Sequence, residues 1–309
     1  MPSVSDPDTV AEAAEVLRAA AAEGRRVSIE REGGDVVLST ASLDRILEHE
    51  AGDLTATVEA GIRLSVLNER LAEHGQMLAL DPPGDPTIGA CLAANLSGPR
   101  RHRYGAPRDL VLGVTVVLAD GTVAHSGGKV VKNVAGYDLA KLFCGSRGSV
   151  GLIARASLRL HPRAAATRTL VAPAPTPEEA QRLVQAVHRS TLVPSAVDLL
   201  WPGRLALLFE GGGRAVAAQV AAARELVGGE EDDGAVWAEV GERQGAARGS
   251  FSFRPGALAG TLAGLDEAVV RAGVGLAYVP DPVTDARPDA LLRLTERVRS
   301  EFDPQHVLA

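Results

Sequence analysis

Two stretches rich in small residues decide the fold: DPPGDPTIGACLAANLSGP (81–99) and GGKVVKNVAGYDLAKLFCGSRGSVGLI (127–153). In both, Gly, Ala, Ser and Thr stand where a core segment would carry Leu or Ile. Small side chains let the backbone approach a ligand closely, and consecutive N–H groups can then donate to an anion. Between the two stretches, VTVVL and TVAHS flank Asp120-Gly121, which predicts a β-hairpin. We expect the two stretches to form a cradle for an extended, phosphate-bearing cofactor.

The same composition is also typical of an irregular, glycine-rich region that only turns corners. Neither a GxGxxG nor a GxxxxGK[ST] pattern is present to favour a known phosphate-binding loop. Both interpretations therefore remain open on composition alone.

Length, charge and cysteine content exclude several classes of protein. The 309 residues suggest two compact units, at about 150 residues per domain. The net charge of −7 argues against a nucleic-acid-binding surface, and no apolar run reaches the ~20 residues needed to span a bilayer. The start, MPSVSDPDTV, lacks the features of a signal peptide. We expect a cytoplasmic α+β protein with no transmembrane segment, in which Cys91 and Cys144 are small buried packing residues.

The first half of the chain alternates short strands with helices. Asp6 and Pro7 predict the cap and first position of a helix that ends at Gly24. Leu64, Leu67 and Leu71 share one face of a second helix. Strands are predicted over 27–30, 35–40, 54–60 and 151–162.

The second half predicts the element order βαββαβ, which is that of the ferredoxin-like split unit. Thr176 caps the first helix, with Glu179 reaching back to the cap. The predicted elements are a strand over 168–174, a helix to about Ser190, strands over 195–201 and 204–210, a helix over 214–227 and a last strand over 235–240. GGEEDDG (228–234) is interpreted as a solvated loop, and a helix over 256–273, a strand over 275–279 and a final helix over 289–302 follow.

TIGACLAANLSGPRRHRYGAPRDL (87–110), followed by KNVAGYDLAKLFCGSRGSVGLI (132–153), resembles a known flavoprotein family. These stretches resemble the PCMH-type FAD-binding domain of the vanillyl-alcohol oxidase superfamily. Within that superfamily they are similar to the E subunit of glycolate oxidase. The resemblance is dense over 79–163, and the ending SEFDPQHVLA resembles that of the superfamily. It implies an α+β fold with an FAD-binding domain (1–163), a reduced ferredoxin-like cap domain (164–283), and a C-terminal helix and tail (284–309) that return to the FAD domain.

The resemblance also implies which residues hold FAD, while it assigns no catalytic residue and no metal ligand. The implied cofactor-binding residues are Pro82, Pro83, Thr87, Ile88, Gly89, Ala90, Ala94, Asn95, Ser97, Gly98, Arg101, Tyr104, Gly105, Asn133, Gly136, Tyr137, Asp138, Gly148, Ser149, Gly151 and Ile153.

Three positions depart from the family pattern. The family carries a glycine-rich diphosphate loop, of which only Gly33-Gly34 remain here, beside Glu32 and Asp35. Two carboxylates at that place would repel a diphosphate. Ala90 replaces a family glycine, and the chain ends at His-Val-Leu-Ala, before the family's Pro-Gly-Arg. We expect each of these departures to weaken FAD binding.

The histidine pattern bears on catalysis. The catalytic D subunit of glycolate oxidase carries a His-x-His cluster, and none of the seven histidines here forms one. The resemblance therefore implies an FAD-binding subunit that relays electrons from the oxidation of glycolate or another 2-hydroxy acid. Its expected partners are a catalytic flavoprotein subunit and an iron–sulfur subunit, with any membrane association coming through them. A scaffold subunit that has lost FAD and a stand-alone flavin oxidoreductase of unknown substrate remain alternatives.

Overall fold

The structure, a computed structural model, describes residues 2–128, 138–284 and 287–309. The strands are β1 Ser3–Ser5, β2 Val27–Ile29, β3 Val36–Leu38, β4 Ile46–Glu50, β5 Thr55–Glu59, β6 Gln76–Met77, β7 Val111–Val117, β8 Val123–Gly127, β9 Leu152–Arg159, β10 His161–Pro162, β11 Ala166–Ala174, β12 Ala196–Trp201, β13 Gly203–Gly211, β14 Glu230–Asp232, β15 Gly249–Ser252, β16 Ala268–Arg271 and β17 Leu276–Val279. The helices are α1 Val10–Glu23, α2 Leu64–Ala72, α3 Ile88–Ala94, α4 Arg101–Tyr104, α5 Pro107–Leu110, α6 Ala140–Phe143, α7 Pro177–Arg189, α8 Gly213–Val227, α9 Ala235–Ala246, α10 Leu258–Leu262 and α11 Asp289–Phe302.

Strands from the first half of the chain form two main sheets. β1, β3 and β2 pair in that order as a parallel sheet, and α1 packs its apolar face against it. β4, β5, β9, β7 and β8 pair in that order as an antiparallel sheet, over which α2 and α3 pack. The hairpin predicted at Asp120-Gly121 is confirmed, since β7 and β8 pair across it.

The start of α1 differs from the prediction. The cap is Thr9, whose hydroxyl accepts the N–H of Glu12 at 3.1 Å. Asp6 instead accepts from the backbone N–H and the hydroxyl of Ser42, at 3.3 and 3.0 Å. The carboxylate of Asp6 is thus used between loops, which leaves the N-cap to the next suitable side chain. Gly24 ends the helix at φ 63°, as predicted.

Strands from the second half form one seven-stranded sheet in the order β14-β11-β13-β12-β16-β17-β15. Helices α7, α8 and α10 share a hydrophobic core with β11, β12 and β13. α9 packs through Val236 and Val240 against Leu200 and Val269, in a separate cluster. Each of these strands pairs antiparallel to its neighbours.

Three predictions about this half are wrong. Residues 235–240 begin α9, because Val236, Val240 and Gln244 recur every fourth residue and are buried on one side of a helix. The predicted solvated loop is largely exposed, as expected, but it contains β14, an edge strand paired with β11. Residues 268–271, predicted to continue a helix, form β16, whose residues are all buried. Short apolar runs fit both helix and strand periods, so sequence pattern alone does not separate them.

A smaller difference concerns the cap of α7. Thr176 Oγ1 accepts the N–H of Glu179 at 3.2 Å, as predicted. The carboxylate of Glu179 does not close the capping box but accepts from Arg182, at 2.9 and 2.6 Å. An Arg one turn along the helix competes for the carboxylate that would otherwise reach back to the cap.

The last residues return to the sheet at the other end of the chain. The ring of Phe302 lies 5.8 Å from that of Phe143, edge to face. Val27 donates its N–H to the carbonyl of Val307 at 2.7 Å, and Ala309 donates to Val27 at 2.9 Å. Leu308 is buried beside β2. These contacts add an outer segment to the parallel sheet.

Candidate functional site

A groove of about 260 Å³, here called the small-residue groove, is lined by three separate parts of the chain. Small side chains or glycines make up much of its wall. The lining residues are Ile29, Glu30, Arg31 and Thr40 from the parallel sheet and its loops, Gly89, Ala90, Ala93, Ala94 and Leu96 from α3 and its end, and Arg147, Gly148, Gly151, Leu152 and Ile153 from the segment entering β9.

Helix α3 reaches the groove because a glycine lets it lie against the chain beyond β5. A Cβ on Gly89 would sit 2.9 Å from the Cβ of Ala60 and 3.0 Å from its carbonyl oxygen. Gly89 donates its N–H to the carbonyl of Ala60 at 2.7 Å, and Ala90 donates its N–H to Thr87 Oγ1 at 3.2 Å. Ile88 donates to Ile62, at 2.9 Å. These N–H groups are used within the protein, so α3 offers a ligand space rather than donors.

The loop before β9 is held against α3 by its backbone. Arg147 donates its N–H to the carbonyl of Ala93 at 2.8 Å, and Gly145 donates to Leu92 at 3.0 Å. Gly145, Arg147 and Gly148 all have positive φ, at 85°, 53° and 81°. A Cβ on Gly148 would lie 3.1 Å from Ile29 Cδ1, so the glycine allows close contact with β2.

The carboxylate in the groove belongs to Glu30. Its Oε1 accepts from the hydroxyl of Thr40 at 2.6 Å and also from the N–H of Thr40. Asp35, which was expected to face a diphosphate, instead accepts the N–H of Arg26 at 2.8 Å and is exposed, and Glu32 does not line the groove. The carboxylate that lines the groove is therefore that of Glu30, and the predicted repulsion at Glu32 and Asp35 is misplaced by a few residues.

The predicted residue Tyr104 lies with Arg100 where the two halves of the chain meet. Arg100 donates to Glu210 Oε1 from Nε at 3.0 Å and from Nη2 at 2.8 Å. The hydroxyl of Tyr104 donates to Glu210 Oε2 at 3.4 Å. The backbone N–H of Arg100 lies 3.1 Å from each carboxylate oxygen of Asp81. Burial acts to lower the pKa of Arg100, but the hydrogen bonds and charge of Glu210 raise it above its usual value.

Ser97 extends this contact into the core of the interface. Its carbonyl accepts from Gln244 Nε2 at 2.8 Å, and its hydroxyl accepts from Arg101 at 3.2 Å. Gln244 in turn accepts from Arg271, which also donates to Asp198. Asp198 and Arg271 are both buried, and burial raises the pKa of the Asp198 carboxyl to about 6 although Arg271 opposes the shift. A chain of hydrogen bonds therefore joins α3's trailing loop to the seven-stranded sheet.

A larger cleft of about 760 Å³ opens beside this network. Pro82 and Pro83 line one side of it, and Trp237 with the glycines of α9 lines the other. Trp237 is fixed by the hydrogen bond from its indole N–H to Thr169 Oγ1, at 2.8 Å. Acidic side chains predominate on the wall, namely Asp81, Asp232, Asp233 and Glu242, with Arg100 and Arg168 as the cations.

The predicted residues are thus distributed over several places. Gly89, Ala90, Ala94, Gly148, Gly151 and Ile153 line the groove. Thr87 and Ile88 lie at the start of α3, and Asn95 lies at its end, where its side chain accepts the N–H of Arg108. The hydroxyl of Ser149 donates to the carbonyl of Ser146. Gly98 is buried and Gly105 ends α4, both beside the Arg100–Glu210 contact, while Asp138 is exposed and pairs with Lys141 at 3.1 Å. Asn133, Gly136 and Tyr137 lie outside the described residues.

The interpretation of the cysteines is confirmed, since Cys91 and Cys144 are free and buried. Burial raises their pKa values to about 12 and about 11. Within the described ranges, no group of His, Cys, Asp and Glu is placed to hold a metal ion. No helix in those ranges is both long and apolar enough to cross a membrane.

Sequence reasoning missed several residues of the site. Glu30, Arg31 and Arg147 line the groove, and Glu210, Gln244 and Arg271 build the interface. Arg271 carries one usable signal, because a lone arginine inside the apolar run AVVRAG is expensive to bury without partners. The others are brought in by tertiary contacts that no local pattern marks.

Comparison with known proteins matches residues 3–127 to the FAD binding domain family. Glycolate oxidase subunit GlcE of Escherichia coli (strain K12) is 34% identical over 204 residues, covering 64% of this chain and 56% of that protein. Glycolate oxidase subunit GlcD of Bacillus subtilis (strain 168) is 35% identical, over 54% of this chain and 36% of its own length. D-lactate dehydrogenase of Archaeoglobus fulgidus is 36% identical, over 53% and 37%. The matches span between about a third and just over half of these relatives.

The fold extends over nearly the whole chain. A solved structure of alkyldihydroxyacetonephosphate synthase superposes on 98% of this chain and 75% of its own, with a TM-score of 0.73 and 16% identity. This likeness shows a shared fold. Residues 3–127 thus match an FAD binding domain, and over part of its length the chain is similar to glycolate oxidase subunits and D-lactate dehydrogenases.

Proposed function

We propose that this chain is the FAD-binding subunit of a glycolate oxidase-type complex. In this role it relays electrons from the oxidation of glycolate or another 2-hydroxy acid. The observation that carries the proposal is the small-residue groove, which α3 and the loop before β9 build from both of the small-residue stretches. The similarity to GlcE over 204 residues supports the subunit role.

The residues of the groove fit part of FAD by their size. Gly89, Ala90 and Ala94 leave a shallow wall on α3 against which a planar ring system can lie. Gly148 and Gly151 allow the facing loop to come close without side chains. When bound, FAD would supply the redox chemistry, while this chain supplies position and electrostatic field.

The larger cleft beside the Arg100–Glu210 contact supports a relay rather than the oxidation of an acid by this chain alone. Both cations on its wall are paired, Arg100 with Glu210 and Arg168 with Glu231, at 2.8 and 3.4 Å. The carboxylates of Asp232, Asp233 and Glu242 would repel the carboxylate of a 2-hydroxy acid. We infer that the acid is oxidised at a catalytic flavoprotein partner and that an iron–sulfur subunit receives the electrons.

We also propose three structural units. Residues 1–163 are the FAD-binding domain, 164–283 a reduced ferredoxin-like cap domain, and 284–309 a helix and tail that return to the first domain. The order β11-α7-β12-β13-α8-β14, with the sheet order β14-β11-β13-β12, supports the ferredoxin-like assignment. A cytoplasmic location, with any membrane association through partners, completes the proposal.

A scaffold subunit without FAD is the second candidate, favoured by the carboxylate of Glu30 within the groove. Co-expression with the two partner subunits distinguishes the two functions. If the chain is the FAD-binding subunit, it co-purifies with the two partner subunits, and after separation from them it shows visible flavin absorption. The complex then also reduces a dye when glycolate is added. A chain that joins the complex, remains colourless and does not take up added FAD would establish the scaffold. A chain that does not co-purify would contradict both.

A further inference from the structure

One charged side chain that lines the small-residue groove, that of Arg147, is not paired with any described residue. Arg147 lines the groove, and its guanidinium has no hydrogen-bond or ion-pair partner among the described residues. The other charged groups of the wall are engaged: Glu30 by Thr40, and Arg31 by the carbonyl of Ala309. Among the charged side chains of the groove, Arg147 is thus the one available to a ligand.

The backbone fixes Arg147 at this place. It has φ 53°, the left-handed region that non-glycine residues seldom adopt, and its N–H is bonded to the carbonyl of Ala93 at 2.8 Å. A strained, non-glycine conformation persists only where the surroundings enforce it, and such positions cluster at ligand-binding sites. Since α3 and the loop before β9 meet here, the arginine stands at the junction of the two walls.

The charge of the groove is complementary to a diphosphate. Arg31 and Arg147 outnumber the single carboxylate of Glu30, and Thr40 holds that carboxylate by two hydrogen bonds. A guanidinium binds phosphate oxygens through parallel N–H donors, which makes it a strong substitute for backbone amides. The N–H groups of Ile88, Gly89 and Ala90 are bonded within the protein, so a side chain must supply the donors.

We propose that Arg147 binds the diphosphate of FAD and takes the place of the shortened glycine loop at 31–35. The proposal rests on FAD binding by this chain. Arg147 was not among the residues that the sequence predicted for the cofactor, although its neighbours Gly148 and Ser149 were.

The test measures the binding of FAD, ADP and adenosine to the full chain by calorimetry, with Arg147→Gln, Arg147→Lys and a control, Arg214→Gln. Arg214 is exposed on α8, away from the groove. Arg147→Gln is expected to weaken the affinity for FAD and for ADP by about tenfold or more, because a charge-assisted hydrogen bond is lost. Adenosine affinity stays at the wild-type value, Arg147→Lys recovers part of the loss, and the difference shrinks with added salt.

Two results would overturn the proposal. One is FAD affinity of Arg147→Gln within twofold of wild type; the other is an equal loss for adenosine, which would mean that the variant distorts the groove. Circular dichroism of each variant checks that it is folded. If wild type binds no FAD, the proposed function and this inference both fail. If it binds FAD through Arg147 but does not assemble with its partners, only the proposed function fails.

Discussion

Arg100 and Glu210 join the loop after α3 to strand β13 through two hydrogen bonds of 3.0 and 2.8 Å. The Glu210 side chain is 2% exposed and that of Arg100 is 30% exposed. The anion that Arg100 meets is thus a carboxylate of the same chain. The loop therefore holds the two halves of the molecule together.

Removing Arg100 should destabilise the protein. Arg100→Ala leaves the buried carboxylate of Glu210 without its charged partner, and we expect the free energy of unfolding to fall by about 2 kcal/mol. Urea denaturation measures the change. Arg168→Ala is the matched control, because its pair with Glu231 is exposed and should contribute less than about 1 kcal/mol. Equal losses in the two variants would contradict the prediction.

The buried Asp198 predicts a pH dependence of stability. Its pKa is raised to about 6 by burial, above the ordinary value near 4, so the folded chain binds a proton that the unfolded chain has released. Stability from this group is present at low pH and is lost as pH rises from about 4 to about 6.

The difference in unfolding free energy between wild type and Asp198→Asn isolates this effect. We expect wild type to lose about 3 kcal/mol relative to the variant across that interval, with no further change above it. Urea titrations at several pH values measure the difference. A flat difference would show that folding leaves the pKa of Asp198 at its ordinary value, and a difference that rises with pH would show that Arg271 lowers it; either result contradicts the prediction.

Gly89 is expected to be intolerant of even one methyl group. Gly89→Ala would push α3 away from Ala60, because the new Cβ would lie 2.9 Å from the Cβ of that residue. We expect a loss of about 1–3 kcal/mol in stability and a weaker affinity for FAD. Gly260→Ala, in α10 where nothing lies within 4 Å, should be neutral or stabilising by up to about 1 kcal/mol. A stable Gly89→Ala protein with full FAD affinity would refute the close-contact argument.

The two thiols should be unreactive in the folded protein. With pKa values of about 12 and about 11, fewer than about one molecule in a thousand carries either thiolate at pH 8. A disulfide reagent such as DTNB is expected to release no colour until guanidinium unfolds the chain, and then to report both thiols. Rapid reaction of one thiol before unfolding would place it at an accessible surface.

Local sequence signals predicted those parts of the fold that depend on local chemistry. Asp120-Gly121 predicted a hairpin because this pair favours a tight turn, and Thr176 predicted the start of α7 because it can cap a helix. The signals did not separate helix from strand at 235–240, because Val236 and Val240, four residues apart, fit both periods. Ala238 is exposed between them, whereas a strand would bury it on the same face. For β16, burial on all sides removed any alternation that would have marked a strand.

The groove could be predicted only in part, for a physical reason. Gly89 and Gly148 were recognisable because a close approach of backbone requires small residues over a run of sequence. Glu30 and Arg147 were not, since their roles depend on which residues lie across the groove, and those come from segments far apart in the chain. Tertiary contacts, not local pattern, decide the charge of the site.

The pairing of residues 307–309 with Val27 has a consequence for biosynthesis. The strand that carries Ile29, Glu30 and Arg31 toward the groove gains its outer neighbour only after residues 303–309 have left the ribosome. That wall of the groove is therefore complete only when two segments about 280 residues apart in the chain have both been made. A ligand that reaches the groove before residues 303–309 have been translated would meet an unfinished wall.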